Sequence, residues 1–147
     1  MKHSISLLFV SLGLSLRPAG LYAIEIPQPK PGLWEIRMQV AADGKAVIKP
    51  AAMQRCFRES EYAKSKATAD DFAKKNCSKN ETRQESGKWV NDMVCKMGEG
   101  TMTLHSVTAY SGDGAYHSEM KSTFDPPSPA SPATTTVSDG KWLGECK

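Results

Sequence analysis

Apolar and polar residues alternate from Trp34 to Val40, with Trp34, Ile36, Met38 and Val40 set against Glu35, Arg37 and Gln39. A period of two marks a strand with one buried face. Upstream, Pro27, Pro29 and Pro31 favour an extended entry segment over a helix. Asp43-Gly44 suits a hairpin turn, so a second strand is expected from about Ala46 to Phe57. Pro50 within it cannot donate to a ladder, which implies an edge position or a bulge. From Glu59 to about Lys75 the composition shifts to Glu, Ala and Lys, all good helix formers, with Tyr62 and Phe72 able to anchor a helix on a sheet. Thr68 with Asp71 resembles a capping box, predicting two short helices or one broken near Ala67.

Arg83 to Trp89 forms a hairpin tip around Gly87, and Trp89, Asn91, Met93, Cys95 and Met97 share a face of the strand that follows. Met102, Leu104, Ser106, Thr108 and Tyr110 share a face of the next strand, and Tyr116, Ser118, Met120, Ser122 and Phe124 a face of its partner. If Ser111 pairs with Ala115, Tyr110 faces Tyr116, Ser106 faces Met120 and Met102 faces Phe124. That register gathers the large apolar residues on one side, as a half-buried sheet requires. Asp125 to Thr136, rich in Pro, Ser, Ala and Thr, reads as a long mobile loop. A last short strand is expected around Gly140 to Cys146. The pattern predicts an α+β fold that is mostly β: a curled antiparallel meander with a short helical insertion, stapled by disulfides.

Lys2 and His3 precede an apolar run from Ile5 to Leu16, followed by Leu21-Tyr22-Ala23. This has the form of a secretory leader cut after Ala23. The run is shorter than the roughly 20 apolar residues a membrane span needs, so no transmembrane segment is expected. Residues 1–23 are thus assigned to the leader and 24–147 to one domain, which shortens 147 residues by 23 to 124. Of 19 basic residues Lys2 and Arg17 go with the leader, leaving 17 against 16 acidic ones and a net charge of +1. A nucleic-acid partner is not expected at that balance.

Candidate chemistry is sparse. Only His105 and His117 remain after the leader, and the register above separates them by roughly 13 Å on the face opposite the apolar one. They suit neither a shared metal nor a relay, and no Gly-x-Ser-x-Gly, His-Glu-x-x-His or phosphate loop occurs. No catalytic residue, cofactor or metal is assigned. Met38, Met53, Met93, Met97, Met102 and Met120 include soft ligands for copper(I), but alternation sends His117 and Met120 to opposite faces. Methionines filling an apolar interior are the better account. Cysteines at 56, 77, 95 and 146 lack a Cys-x-x-Cys knuckle, and export favours disulfides over zinc. The sequons at Asn76 and Asn80 are chance-level motifs, and Lys64, Lys66, Lys74 and Lys75 form a solvated face.

Pro31-Gly32-Leu33-Trp34-Glu35-Ile36, Cys56-Phe57 before an acidic helix, Cys77, Cys95 and the terminal Trp142-Leu143-Gly144-Glu145-Cys146 together resemble the secreted bacterial family called domain of unknown function 3617. The helix opens on Arg58-Glu59, where that pattern leads one to expect Thr-Pro. The resemblance implies a periplasmic β-rich domain and supplies neither catalytic residues nor a ligand.

The hairpin register selects a cysteine pairing. A three-residue loop Glu85-Ser86-Gly87 sets Gln84 opposite Lys88 and Cys77 opposite Cys95, within disulfide reach. Cys56–Cys146 follows by elimination. Two functions fit an exported, non-enzymatic domain of the bacterial envelope. The slightly favoured one is a binding or protein-interaction module meeting an envelope protein. The alternative is a carrier of a small apolar ligand, held against Tyr62, Phe72, Met102, Tyr110, Tyr116, Met120 and Phe124. A closed core favours the first; a connected apolar cavity of about 300 Å³ or more favours the second. The oligomeric state is not encoded in any pattern found.

Overall fold

The structure, a computed structural model, describes residues 26–127 and 132–147. The segment assigned to the leader and the centre of the Pro/Ser-rich stretch lie outside the described residues. Seven strands form one antiparallel sheet: β1 (Gly32–Ala42), β2 (Lys45–Phe57), β3 (Cys77–Glu85), β4 (Lys88–Met97), β5 (Gly100–Tyr110), β6 (Ala115–Asp125) and β7 (Thr134–Gly144). The spatial order is β2-β1-β7-β6-β5-β4-β3, a meander in which β7 returns beside β1. One helix, α1 (Glu59–Asn76), joins the two edge strands β2 and β3. Its 18 residues span about 27 Å, and six interstrand gaps span about 29 Å. The helix is therefore long enough to cross the sheet from edge to edge, and it packs on β3 and β4.

The expected turns formed as their residues dictate. Asp43 and Gly44 both take positive φ, 48° and 76°, the tight two-residue hairpin that Asp-Gly favours. The β5–β6 pairs are those expected, with Tyr110 opposite Tyr116, Ser106 opposite Met120 and Met102 opposite Phe124. Pro50 sits on an edge strand whose register against β1 shifts between Met38 and Val40, so the chain accommodates its missing N–H by both routes anticipated for it.

Three expectations are corrected. First, α1 is continuous through Ala67, and Thr68 is no cap: its Oγ1 donates back to the Lys64 carbonyl at 3.0 Å. The flanking alanines and lysines propagate a helix through that position, and ion pairs Lys66–Asp70 and Lys75–Asp71 (2.7 Å each) support it. Second, the stretch from Asp125 to Thr136 is not all loop. Asp125 ends β6, and Thr134, Thr135 and Thr136 open β7, an 11-residue strand paired on both sides by β1 and β6. β-Branched threonines pack well on a pleated surface, and composition alone hid that. Third, the β3–β4 loop has two residues, Ser86 and Gly87, both at positive φ, so Glu85 pairs with Lys88. This register is one residue out from that expected. A shift between Cys77 and Lys79 absorbs the slip, and Cys77 still meets Cys95.

Both disulfides are those expected, Cys77–Cys95 and Cys56–Cys146. They bracket α1, one at the end of β2 just before it and the other at the first residue after it. Arg58, the residue at its N-cap, makes no side-chain cap bond. Among the described residues few apolar side chains are buried: Trp34, Ile36, Ala73, Val90 and Cys95. Most of the face beneath α1 is only half-buried, and that open face is where the candidate site lies.

Candidate functional site

The strand registers define the inner face row by row. Tyr110, Tyr116, Gly140 and Ile36 lie side by side across β5, β6, β7 and β1, followed by Thr108, Ser118, Ser138 and Met38. Next come Asn91, Ser106, Met120, Thr136 and Val40, then Met93, Leu104, Ser122 and Thr134. The face expected to be apolar is thus mixed: aromatic at one end, crossed by hydroxyls, with methionines beyond. The hydroxyls satisfy one another, Thr108 with Ser118 at 2.9 Å, Ser122 with Thr134 at 2.8 Å and the Tyr116 phenol with Ser138 at 3.3 Å.

Tyr116 takes its place because Gly140 has no side chain. A Cβ at Gly140 would overlap the Tyr116 ring, so the strand neighbour that makes room is a glycine. The ring centroid lies 5.9 Å from Trp34 and 6.4 Å from Tyr110, and Trp34 meets Phe57 edge-on at 6.5 Å. We expect Gly140→Ala to displace Tyr116 and to destabilise the fold by about 1–3 kcal/mol. Chemical denaturation of the two proteins, with near-ultraviolet circular dichroism to follow the tyrosines, measures both effects.

Between this face and α1 lie two adjoining cavities. The first, about 260 Å³, is walled by Trp34, Phe57, Tyr62, Tyr110 and Tyr116, with Thr108, Ser118 and the segment Ile26, Pro27 and Pro29 completing it. No charged side chain lines it. Burial pushes the Tyr110 phenol above its ordinary pKa, with Tyr62 and Tyr116 adding to the shift. The second cavity, about 410 Å³, shares Ile26 and Tyr62 as walls and is of mixed character, lined by Gln28, Lys66, Asp70, Asn80, Thr82, Asn91 and Ser106 beside Ala69, Ala73 and Met93. Tyr62, Lys66, Ala69 and Ala73 fall at helical spacing on one stripe of α1. Small alanines let the helix approach β3 and β4, while Tyr62 reaches over the aromatic end.

The residues expected to form a single apolar face are divided by the structure. Tyr62, Tyr110 and Tyr116 come together in the aromatic cavity. Phe72 and Phe124 line a separate, wider groove of about 630 Å³ at the far end of α1, with Met97 and Pro126. Met102 and Met120 lie on the sheet face between these ends. Pattern reading missed Trp34 and Phe57 as cavity walls, and also the entry segment. The alternation of Trp34 was visible, but which cavity it faces depends on β7, whose start was misplaced.

On the opposite face, His105 Nδ1 donates to Asp92 at 2.7 Å and His117 Nδ1 to Asp139 at 2.7 Å, with the imidazoles 47% and 56% exposed. Arg83 pairs with the second Asp92 oxygen. The His105 bond, then the Arg83 bond, hold the Asp92 carboxyl down at about 2 against an ordinary 3.8. A depressed carboxylate stabilises the fold above its unfolded pKa, and that contribution fades as pH falls from about 4 through 2. Asp92→Asn should therefore show a shallower loss of stability over that interval than the parent, as acid titration monitored by circular dichroism will report. Among the described residues no group of three or more His, Cys, Asp or Glu is placed to hold a metal ion.

A family model described as a protein of unknown function (DUF3617) matches residues 29–146. The chain belongs to that family. No curated protein and no solved structure matches it. The match to DUF3617 begins at Pro29 and ends at Cys146, so it takes in all seven strands, α1 and both disulfides. Within the DUF3617 span lie the aromatic walls from Trp34 to Tyr116; Ile26, Pro27 and Gln28 precede it. Among the described residues no helix is long and apolar enough to cross a membrane.

Proposed function

We propose that this domain is an exported, periplasmic, non-enzymatic binding module of the bacterial envelope that carries a small amphiphilic molecule between α1 and the sheet. One observation carries the reading: five aromatic side chains border an open cavity of about 260 Å³ instead of filling it, and only together with its neighbour of about 410 Å³, which adjoins it through Ile26 and Tyr62, does the connected space exceed the roughly 300 Å³ that favours a carrier. A domain whose aromatic residues served only as core would close over them. Ligand sites are concave, largely apolar and equipped with a few hydrogen-bonding groups, which describes this pair. The two histidines stand on the other face, each engaged by an aspartate, so the cleft offers no imidazole base. Two disulfides suit an oxidising compartment, and the leader-like sequence before Ile24 supplies the route there.

Native mass spectrometry of protein purified from its own periplasm tests this. We expect a polypeptide beginning at Ile24 with a retained adduct of a few hundred daltons, lost on denaturation. A bare polypeptide from every preparation would remove the reason for the carrier reading.

A second reading, a protein-interaction module, is favoured by the unequal edges of the sheet. Edge β3 carries Lys79, Glu81, Arg83 and Glu85, the charges that discourage further pairing. Edge β2, although it carries Lys45, Pro50 and Arg55, also exposes Val47, Ile48 and Met53. Co-purification of the tagged exported protein, compared with Ile48→Lys, distinguishes this reading by a partner lost only from the variant.

A further inference from the structure

Ile26, Pro27 and Pro29 form the outer wall of the aromatic cavity, and Gln28 with Ile26 the outer wall of its neighbour. This short segment thus runs over both. Among the described residues it makes no hydrogen bond between Ile26 and Pro29. Its attachment lies at the next two residues, where the Trp34 indole donates to the Lys30 carbonyl at 2.8 Å and the Trp142 indole to the Pro31 carbonyl at 3.1 Å. Beyond them Gly32 leaves no room for a side chain, since a Cβ there would overlap the Trp142 indole and the Gly144 carbonyl. The Lys30 side chain adds a weaker hold, with Nζ 4.1 Å above the Trp142 ring and 3.6 Å from an exposed Asp113.

The segment is therefore anchored at Lys30 and Pro31 and borders the cavities without a hydrogen bond of its own among the described residues. Pro27 and Pro29 keep it extended, which makes it a stiff piece and not a floppy tail. α1 cannot open the cleft in its place, because a disulfide ties the chain at each end of the helix. Resting on the carrier reading above, we propose that the aromatic cavity receives an uncharged ring-containing group of the ligand and that Ile26–Pro29 is the lid through which it enters, anchored at Lys30. The ligand's hydrogen-bonding part then lies along Asn80, Thr82, Asn91 and Ser106. Charge is excluded because none of the ten residues lining the cavity offers a counter-charge. Size fits as well: a cavity of about 150 Å³ takes benzene, and this one, about 260 Å³, takes a two-ring group.

Two probes that share one skeleton provide the test on the full mature protein: neutral N-phenyl-1-naphthylamine and its sulfonated counterpart 1-anilinonaphthalene-8-sulfonate. Stopped-flow fluorescence compares the parent, Lys30→Ala, which removes the side-chain part of the anchor, and Pro27→Gly/Pro29→Gly, which softens the lid. The neutral probe should bind at least about 10-fold more tightly than the sulfonate. Its association and dissociation should both quicken about 5-fold in Lys30→Ala, and also in the double variant. Equal rates in all three proteins would overturn the lid while leaving the carrier reading in place. Equal affinity for the two probes would overturn the uncharged site. Failure of the neutral probe to bind any of the three proteins would overturn the aromatic site altogether, while a native adduct seen by mass spectrometry would still uphold the cleft.

Discussion

Replacing Cys56 and Cys146 together by alanine should lower the unfolding free energy by about 4–5 kcal/mol. The bridge closes a loop of sequence separation 90 with Cα atoms 5.7 Å apart, and in the chain-entropy model the cost of closing so long a loop falls on the unfolded state. The inner bridge, Cys77–Cys95, closes a separation of only 18 and should contribute about 3 kcal/mol. The order of the two effects is as informative as their size. For a domain with five buried apolar side chains among its described residues, a loss of about 4–5 kcal/mol is a large part of the usual total stability of about 5–15 kcal/mol. Urea denaturation of the two cysteine-pair variants, each against the parent, provides the measurement. A larger loss for Cys77/Cys95 than for Cys56/Cys146 would show that local strand pairing, and not loop closure, dominates.

Trp34→Ala should cost about 3–5 kcal/mol, the range for removing a buried aromatic ring. Trp34 is 2% exposed on β1, contacts Phe57 and Tyr116, and donates its indole N–H to the Lys30 carbonyl. Trp34→Phe separates these roles, since it keeps a ring in the wall and deletes only the indole bond and some volume. We expect it to retain more than half of the stability that the alanine variant loses. If both substitutions cost the same, the hydrogen bond to the entry segment, and not the packing, is what holds this corner. Equilibrium unfolding of the three proteins settles the comparison.

How much of this was legible beforehand varied with the kind of signal. The β5–β6 register was readable because Gly112-Asp113-Gly114 sets a turn and the flanking side chains agree on one alignment, which the structure has. The cysteine pairing was readable too, though through a loop one residue too long; the irregularity between Cys77 and Lys79 compensated. Such shifts leave no mark in hydrophobic periodicity. Thr134–Thr136 looked like loop because Pro, Ser and Thr surround it, whereas its strand character comes from having β1 on one side and β6 on the other. The break anticipated near Ala67 failed for a related reason, since a local Thr-Asp motif yields to a helix long enough to propagate through it. The cleft itself was only half legible. Tyr62, Tyr110 and Tyr116 were picked out, but Trp34, Phe57 and the prolines join them only through tertiary placement.

The bracketing of α1 by Cys56–Cys146 and Cys77–Cys95 has a consequence for timing within the cell. A binding site whose two walls are covalently spaced meets its ligand preorganised, without an ordering cost at the moment of association. The same chain with four thiols lacks that spacing, and its helix is free to lift from the sheet. If the domain is exported and carries an amphiphile as proposed above, the four-thiol chain in a reducing cytosol should bind that ligand more weakly than the oxidised domain after export, so the redox state of the compartment would govern when the site forms.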